Sequence, residues 1–231
     1  MRVILLISIF LTLFSCSKNE LGPQCISCEE EIQPTKISDV LVINEGNFGN
    51  GSGSLSLYSP QTKTINNNLF FQTNGTPLGN VAQSAYQLGN KAYIVINNSN
   101  KVEVMDVKTA ERIKVIDVKN CRYLTFSNGK AYVSAYDGEV ALGDNSPNGF
   151  VAEIDTTSLS ITRTVKVGRQ PEEMAVVGEK LYVANSGGYS PPNYESTVSV
   201  IDIASFKETK RIEVGINLHR MQIDSEGDIY V

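Results

Sequence analysis

The chain carries a single histidine, His219, and no tryptophan. A multi-histidine metal site within one chain is therefore excluded, and a Ser-His-Asp triad would have to use His219. There are four cysteines: Cys16, Cys25, Cys28 and Cys121. Cys25-Ile-Ser-Cys28 is a CxxC pair in a Pro- and Glu-rich stretch, with no following His for haem attachment and no second pair for zinc. It reads as a local disulfide or as two inert thiols, because redox work needs a fold around the pair. Cys121 stands where Pro171 and Leu218 stand in neighbouring repeats, the place of a small packing residue rather than a nucleophile. Asp144-Asn-Ser-Pro-Asn-Gly149 with Asp155 at the twelfth place imitates a calcium loop. Pro147 sits among the would-be ligands, however, and Asp155 matches Asp106 and Asp202 of the repeat, so no metal is expected. Arg122, Glu172 and His219 occupy similar places in successive repeats and look like a ring of charges, which a solvated rim explains equally well. No convergent acid, base and nucleophile set is visible, so the chain reads as a binding protein and not as an enzyme.

These residues need a scaffold, and the 231 residues suffice for one large domain with a real core. Apolar residues make up 41% and charged residues 19%, a globular composition. Twenty basic against 25 acidic residues give a net charge of −5. A duplex binder needs clustered Lys and Arg, so nucleic acid is not an expected partner.

Residues 3–14, VILLISIFLTLF, follow Met1-Arg2 as an apolar run broken only by Ser8 and Thr12. Such a run spans roughly 18 Å as a helix, short of the ~30 Å hydrocarbon core of a membrane. It reads as a signal peptide covering residues 1–15. Leu13-Phe14-Ser15-Cys16 resembles a bacterial lipobox, which implies lipidation of Cys16 and anchoring by acyl chains only. Residues 16–36 form a polar tether. Its Lys18, Glu20 and Glu29-Glu30-Glu31 resemble the export signal of surface-exposed Bacteroidetes-type lipoproteins, which implies the cell-surface side of the outer membrane.

From residue 37 onward the sequence repeats. Lys91-Ala-Tyr-Ile-Val, Lys130-Ala-Tyr-Val-Ser, Lys180-Leu-Tyr-Val-Ala and Asp228-Ile-Tyr-Val open four units, their tyrosines 39, 50 and 48 residues apart. Each follows a Gly-containing turn. Second elements end on Asp106, Asp155 and Asp202, and third elements are Lys114–Val118, Thr164–Gly168 and Arg211–Gly215. Residues 40–88 make an earlier, more divergent unit. The pieces are runs of four to six residues rich in Val, Ile and Tyr, with apolar–polar alternation and Gly, Asn, Pro and Ser at their ends, hence half-buried strands. Units of this length with about four strands are propeller blades, which bury their faces by stacking around an axis. The expected fold is an all-β propeller over residues 37–231, with Lys-x-Tyr-Val as the innermost strand of each blade.

Leu181-Tyr-Val-Ala-Asn185, Val198-Ser-Val-Ile-Asp202 and Ile212-Glu-Val-Gly215 resemble the YVTN-type (YncE-like) propeller repeat. The WD signature is absent. Leu41-Val-Ile-Asn-Glu-Gly-Asn47 with Asn74-Gly-Thr-Pro-Leu-Gly79 resembles the surface propeller lipoproteins of gut Bacteroidetes that capture corrinoids such as cobalamin for a TonB-dependent transporter. The resemblance implies a corrinoid as bound ligand and that transporter as partner. It also implies a ring of seven blades, which at ~45 residues each needs ~315 residues, so about four blades are expected here, as part of a longer protein. A closed four-bladed ring is the alternative.

The long links gather on one face, at residues 45–52, 97–100, 136–148 and 185–196, joined there by 74–80, 119–122, 169–172 and 216–220. Links on the opposite face are short. Insertions on one face of a repeat scaffold mark a binding face. The candidate ligand-binding residues on it are Asn47, Phe48, Asn97, Asn98, Tyr136, Asp137, Arg169, Tyr189 and Tyr194. Tyr offers a stiff apolar ring with a polar tip, and Asn offers both donor and acceptor. Two other functions stay open. One is a redox propeller like the haem-d1 domain of nitrite reductase, for which one His and four Met are a poor supply of ligands. The other is a structural role in the cell envelope.

Overall fold

A computed structural model of the chain describes residues 39–140, 142–143 and 146–231. The signal segment, the tether with Cys16, Cys25 and Cys28, and Asp144 lie outside these residues. The described strands form antiparallel sheets in chain order. The first has three strands, β1 (Val40–Asn44), β2 (Ser54–Ser59) and β3 (Thr64–Asn66). Three four-stranded sheets follow. They are β4 (Ala82–Leu88) to β7 (Arg112–Asp117), with β5 (Lys91–Ile96) and β6 (Lys101–Asp106) between; β8 (Cys121–Ser127), β9 (Lys130–Ala135), β10 (Asn148–Asp155) and β11 (Ser160–Arg169); and β12 (Pro171–Val177), β13 (Lys180–Asn185), β14 (Thr197–Asp202) and β15 (Lys207–Glu213). A short pair, β16 (Gln222–Ile223) and β17 (Ile229–Tyr230), opens a fifth sheet. These are the blades of a partial β-propeller. The sequence signalled no helix, but six residues, α1 (Leu69–Asn74), form one between β3 and β4. It is too short for a helical period and is bounded by left-handed Asn68 and Gly75.

The order of strands within a blade differs from the expectation. The strands that face one another from blade to blade are β4, β8 and β12: Ser84 Oγ donates to the carbonyl of Arg122 at 2.9 Å, and Arg122 forks onto Glu172. The Lys-x-Tyr-Val strands β5, β9 and β13 are second from the axis, and Asp228–Val231 leads into β17, a second strand as well. A meander carries no signal of which of its edges faces the axis. The Lys-x-Tyr-Val strand dominates the repeat because both of its faces are buried, whereas the inner strand carries polar residues that differ from blade to blade.

Alternation explains that double burial. Tyr93, Val95, Val102 and Val104 of the second blade pack on Ala131, Val133, Ala152 and Ile154 of the third. The intervening Ala92, Ile94, Ile96 and Met105 pack back on Leu55, Phe70 and Leu78. Tyr132 and Val151 meet Leu181, Ile201 and Phe206 in the same way.

The repeat aspartates shape the turns on the short-link face. Asp106 Oδ1 accepts the N–H groups of Lys108 and Thr109 at 2.8 and 3.0 Å, and Asp155 Oδ1 those of Thr157 and Ser158 at 3.0 and 2.8 Å. The Lys of Lys-x-Tyr-Val closes the turn: Lys130 binds Asp155 at 2.6 Å and Lys180 binds Asp202 at 2.8 Å. These lysines, with the turn N–H groups, hold both carboxyls well below the usual carboxylate range. Asp155 therefore has a structural occupation of its own. Four residues after each Asp, the chain turns left-handed at Ala110, Leu159 and Phe206. Non-glycine residues are costly there, but all three side chains are buried against the preceding blade, which offsets the strain.

Candidate functional site

The antiparallel order sends the second-to-third and the fourth-to-first links of every blade to one face, so the long links do share a face. They are tied to one another. Asn80 receives the N–H of Gly49 on its Oδ1 at 3.2 Å and the amide of Asn98 on the same atom at 3.0 Å, and its Nδ2 donates to the carbonyls of Asn47 and Gly51. Asn47 and Asn98 are thus brought together, with Phe48 beside them at 76% exposure. Asn97 points instead to the next blade, donating to the carbonyl of Cys121 at 3.0 Å. Further round, Gln170 accepts the N–H of Tyr189 at 2.7 Å, and the Tyr189 carbonyl accepts from Gly143 at 2.9 Å.

At the axis these links enclose a polar cluster carried by the starts of the inner strands. Arg122 Nε and Nη2 donate to Glu172 at 3.0 and 3.2 Å, while Nη1 donates to Gln83 Oε1 at 2.7 Å. Gln83 Nε2 reaches the Tyr123 hydroxyl at 3.2 Å. The Arg122 guanidinium lies 5.3 Å from the Tyr136 ring centroid and 5.7 Å from that of Tyr123. Burial works against the Arg122 charge, but Glu172 together with Tyr136 and Tyr123 more than offsets it. Tyr136 is 5% exposed, and its hydroxyl donates to Glu172. Burial, reinforced by the Glu172 charge, pushes the Tyr136 phenol far up, so it stays a neutral donor. His219 sits with its Nε2 3.8 Å from Glu172 Oε2 and its ring edge-on to Tyr123, centroids 5.9 Å apart. Gln83, Arg122, Glu172 and His219 form one arc across four successive blades.

The remaining candidates are placed as follows. Tyr189, half-exposed, meets the Tyr136 ring edge-on at 6.2 Å. Asp137 pairs with Lys166 on the outside of the face. Arg169 binds Glu195 at 3.2 Å and the Asn193 carbonyl at 2.8 Å, which secures the 185–196 link, and Tyr194 is half-buried in that link. Asn80, Gln83, Tyr123 and Gln170 are participants that the sequence reading omitted. Gln83 holds the same inner-strand position as Arg122 and Glu172 and is found once the repeat is aligned on that strand. Cys121 is fully buried, its Sγ donating to the carbonyl of Lys101 at 3.3 Å, and burial pushes its thiol up to about 12. Such a thiol is packing, not chemistry. Among the described residues no three His, Cys, Asp or Glu side chains converge as a metal site requires.

Blades joined in this way, with the long links gathered on one face over a polar axis, define a partial β-propeller. The chain belongs to the family described as a domain of unknown function, DUF5074, whose profile matches residues 38–231. Solved structures share the fold. Hydrazine synthase of Kuenenia stuttgartiensis superposes with a TM-score of 0.58 at 19% identity, over 75% of this chain and 47% of that one. The WD40 β-propeller domain of Doa1 does so with 0.52 at 12%, over 76% and 53%. Dihydro-heme d1 dehydrogenase NirN in complex with DHE follows with 0.51 at 10%, over 75% and 38%. The chain thus spans about half the length of these structures or less, and at such identities the likeness concerns the fold alone. No curated protein sequence matches.

Proposed function

We propose that the protein is an outer-membrane surface lipoprotein, anchored through Cys16, that captures a corrinoid such as cobalamin and passes it to a TonB-dependent transporter, without chemistry of its own. The observation that carries this reading is the long-link face. Its exposed rings, Phe48 and Tyr189, and its amides, Asn47 and Asn98, lie on the same face as the axial cluster, which Tyr189 meets through Tyr136. A macrocycle with an apolar plane and an amide-bearing rim suits such a surface. The sequence likeness of residues 41–47 and 74–79 to corrinoid-capturing lipoproteins supports the same ligand. Uniform binding needs no general acid or base.

Calorimetric titration of the full chain with cobalamin tests this. Saturable binding is expected, weakened at least tenfold by replacing Phe48 and Tyr189 together with alanine, since each is an exposed aromatic anchor worth about 1 kcal/mol or more. Tyr136 and Arg169 are unsuitable for the test because they hold the face together. An unchanged affinity in the double variant would move the site elsewhere, and no heat with any corrinoid would sink the reading. For the anchor, metabolic palmitate labelling is expected in the wild type and lost in Cys16→Ala; equal labelling of both would exclude lipidation there.

A further inference from the structure

The sequence holds four Asn-Gly pairs, Asn50-Gly51, Asn74-Gly75, Asn128-Gly129 and Asn148-Gly149. In such a pair the glycine nitrogen can attack the asparagine Cγ, because glycine has no side chain to shield it. Attack needs a free side-chain amide, a glycine N–H without a hydrogen bond, and a backbone that brings the two together. The fold meets these conditions unequally. Asn74 is locked: its Nδ2 donates to the carbonyls of Phe70 and Ala110 at 2.9 and 2.8 Å, its Oδ1 accepts the N–H of Arg112 at 2.9 Å, and the Gly75 N–H closes α1 on Phe71 at 2.8 Å. Asn148 pairs with Arg169 in the sheet, and Gly149 is buried against Pro171 and the Ala135 carbonyl. Asn50-Gly51 is pinned on both sides, the Asn50 N–H on the Asn47 carbonyl at 3.1 Å and the Gly51 carbonyl by Asn80.

Asn128-Gly129 differs. The two residues are the exposed tip of the β8–β9 hairpin, between the paired Ser127 and Lys130. Their φ angles of 48° and 73° make the turn type I′, and Asn128 alone of the four asparagines is left-handed. Among the described residues the Asn128 side chain, the Asn128 carbonyl and the Gly129 N–H carry no hydrogen bond, whereas the Gly129 carbonyl is held by the Thr156 N–H at 3.2 Å and hydroxyl at 2.7 Å. The peptide group between Asn128 and Gly129 can therefore turn over without breaking a bond, while the strands and Thr156 keep the hairpin closed. That flip converts type I′ into type II′, the other two-residue hairpin turn, and takes the Asn128 ψ from about +30° to about −120°. Gly129 follows because it alone tolerates either sign of φ. At the new angle its nitrogen faces the Asn128 Cγ. We propose that Asn128 is a site of spontaneous covalent modification, closing to a succinimide with Gly129 and opening to aspartate and isoaspartate. The bond from the Gly129 nitrogen to Cγ forms as the Cγ–Nδ2 bond breaks, and Nδ2 leaves as ammonia with the proton of the Gly129 N–H. Water then adds across one of the two imide C–N bonds. Cleavage at Cγ yields aspartate, and cleavage at the Asn128 carbonyl carbon yields isoaspartate, whose chain runs through Cβ. Nothing is oxidised or reduced. Either product places a new carboxylate on the short-link face, beside the Asp155 turn that Thr156 ties to this hairpin.

The test ages the full chain in mildly alkaline buffer at body temperature, once native and once in concentrated urea, and follows the amide-to-acid mass gain of each Asn-Gly peptide by mass spectrometry. In urea the four pairs are expected to convert at rates within about threefold of one another, since all share the same reacting atoms. In the native protein Asn128 should convert at least about tenfold faster than Asn50, Asn74 or Asn148, whose reaction must wait for local opening. Its product should contain isoaspartate as well as aspartate. Native conversion of Asn128 no faster than that of the other three overturns the proposal. A product of aspartate alone overturns it too, because water would then have cleaved the amide directly without the ring.

Discussion

Arg163→Ala is expected to cost about 3 kcal/mol of stability at neutral pH, whereas Glu153→Gln, at the other end of the same ion pair, should cost only about 1 kcal/mol. The two residues are direct cross-strand neighbours on β10 and β11. Glu153 lies almost wholly inside, and Arg163 is 39% exposed. Removing the arginine strands a buried carboxylate, left with only the Thr162 hydroxyl at 2.6 Å. It also cuts the bonds from Arg163 to the carbonyls of Ala204 and Ile203, at 2.9 and 3.1 Å, and its contact over Phe206, all of which clasp the third blade to the fourth. Removing the glutamate charge leaves an arginine that water can reach. The pH dependence follows from the same geometry. Burial pushes the Glu153 carboxyl up, but hydrogen bonds from Arg163 and Thr162 outweigh it and hold it below its ordinary value. A depressed carboxyl stabilises the fold above the unfolded-state pKa and loses that contribution as pH falls through the folded value. In Arg163→Ala only the Thr162 hydroxyl and the Lys130 charge still oppose burial, so the carboxyl takes up a proton at higher pH than in the wild type, and the gap between wild type and variant should narrow below about pH 4. Urea midpoints at pH 7 and in mild acid measure this. Equal losses for Arg163→Ala and Glu153→Gln would show that the clasp does not work through a buried charge.

The clasp also shows what the sequence disclosed and what it concealed. The repeat was plain because its loudest part, Lys-x-Tyr-Val followed by a strand ending on Asp, is the part with both faces buried and a local turn to close. Lys130–Asp155 and Lys180–Asp202 satisfy one another within one hairpin, so their spacing repeats. Arg122 and Gln83, and Arg163 through the carbonyls of Ile203 and Ala204, act between blades, and no period reveals them. The same holds for Tyr136. As a tyrosine opening a long link it reads as a surface ring, yet its hydroxyl finds Glu172, thirty-six residues away, and the ring is drawn inside. That the long links share a face was legible, because which links are long is a local property and an antiparallel order assigns them to a face. Which residues on that face are free to meet a ligand depends on contacts over long sequence distances, such as those Asn80 and Gln170 make.

The axial pair Arg122–Glu172 should behave unlike the Arg163 clasp, because here both partners are buried, their side chains 13% and 4% exposed. Either single neutralisation, Arg122→Met or Glu172→Gln, is therefore expected to cost about 3–5 kcal/mol. Arg122→Met leaves Glu172 with the Tyr136 hydroxyl alone and frees Gln83, so the inner strands β4, β8 and β12 lose the fork that joins them. Glu172→Gln leaves an enclosed guanidinium facing an amide, and the rings of Tyr123 and Tyr136 do not replace the lost charge. Arg122→Lys should rescue little, since an ammonium cannot bond Glu172 in a fork and reach Gln83 in the same geometry. The double variant Arg122→Met/Glu172→Gln removes both charges and should be more stable than the sum of the single losses implies by roughly 2 kcal/mol or more, the signature of a coupled buried pair. Chemical denaturation of the four proteins closes the cycle, and near-ultraviolet circular dichroism, which here reports tyrosine packing in the absence of tryptophan, follows the axis directly. Losses that simply add would mean that the two residues hold the axis independently. The cluster would then be a rim of separately solvated groups instead of the hub on which the loop face is built.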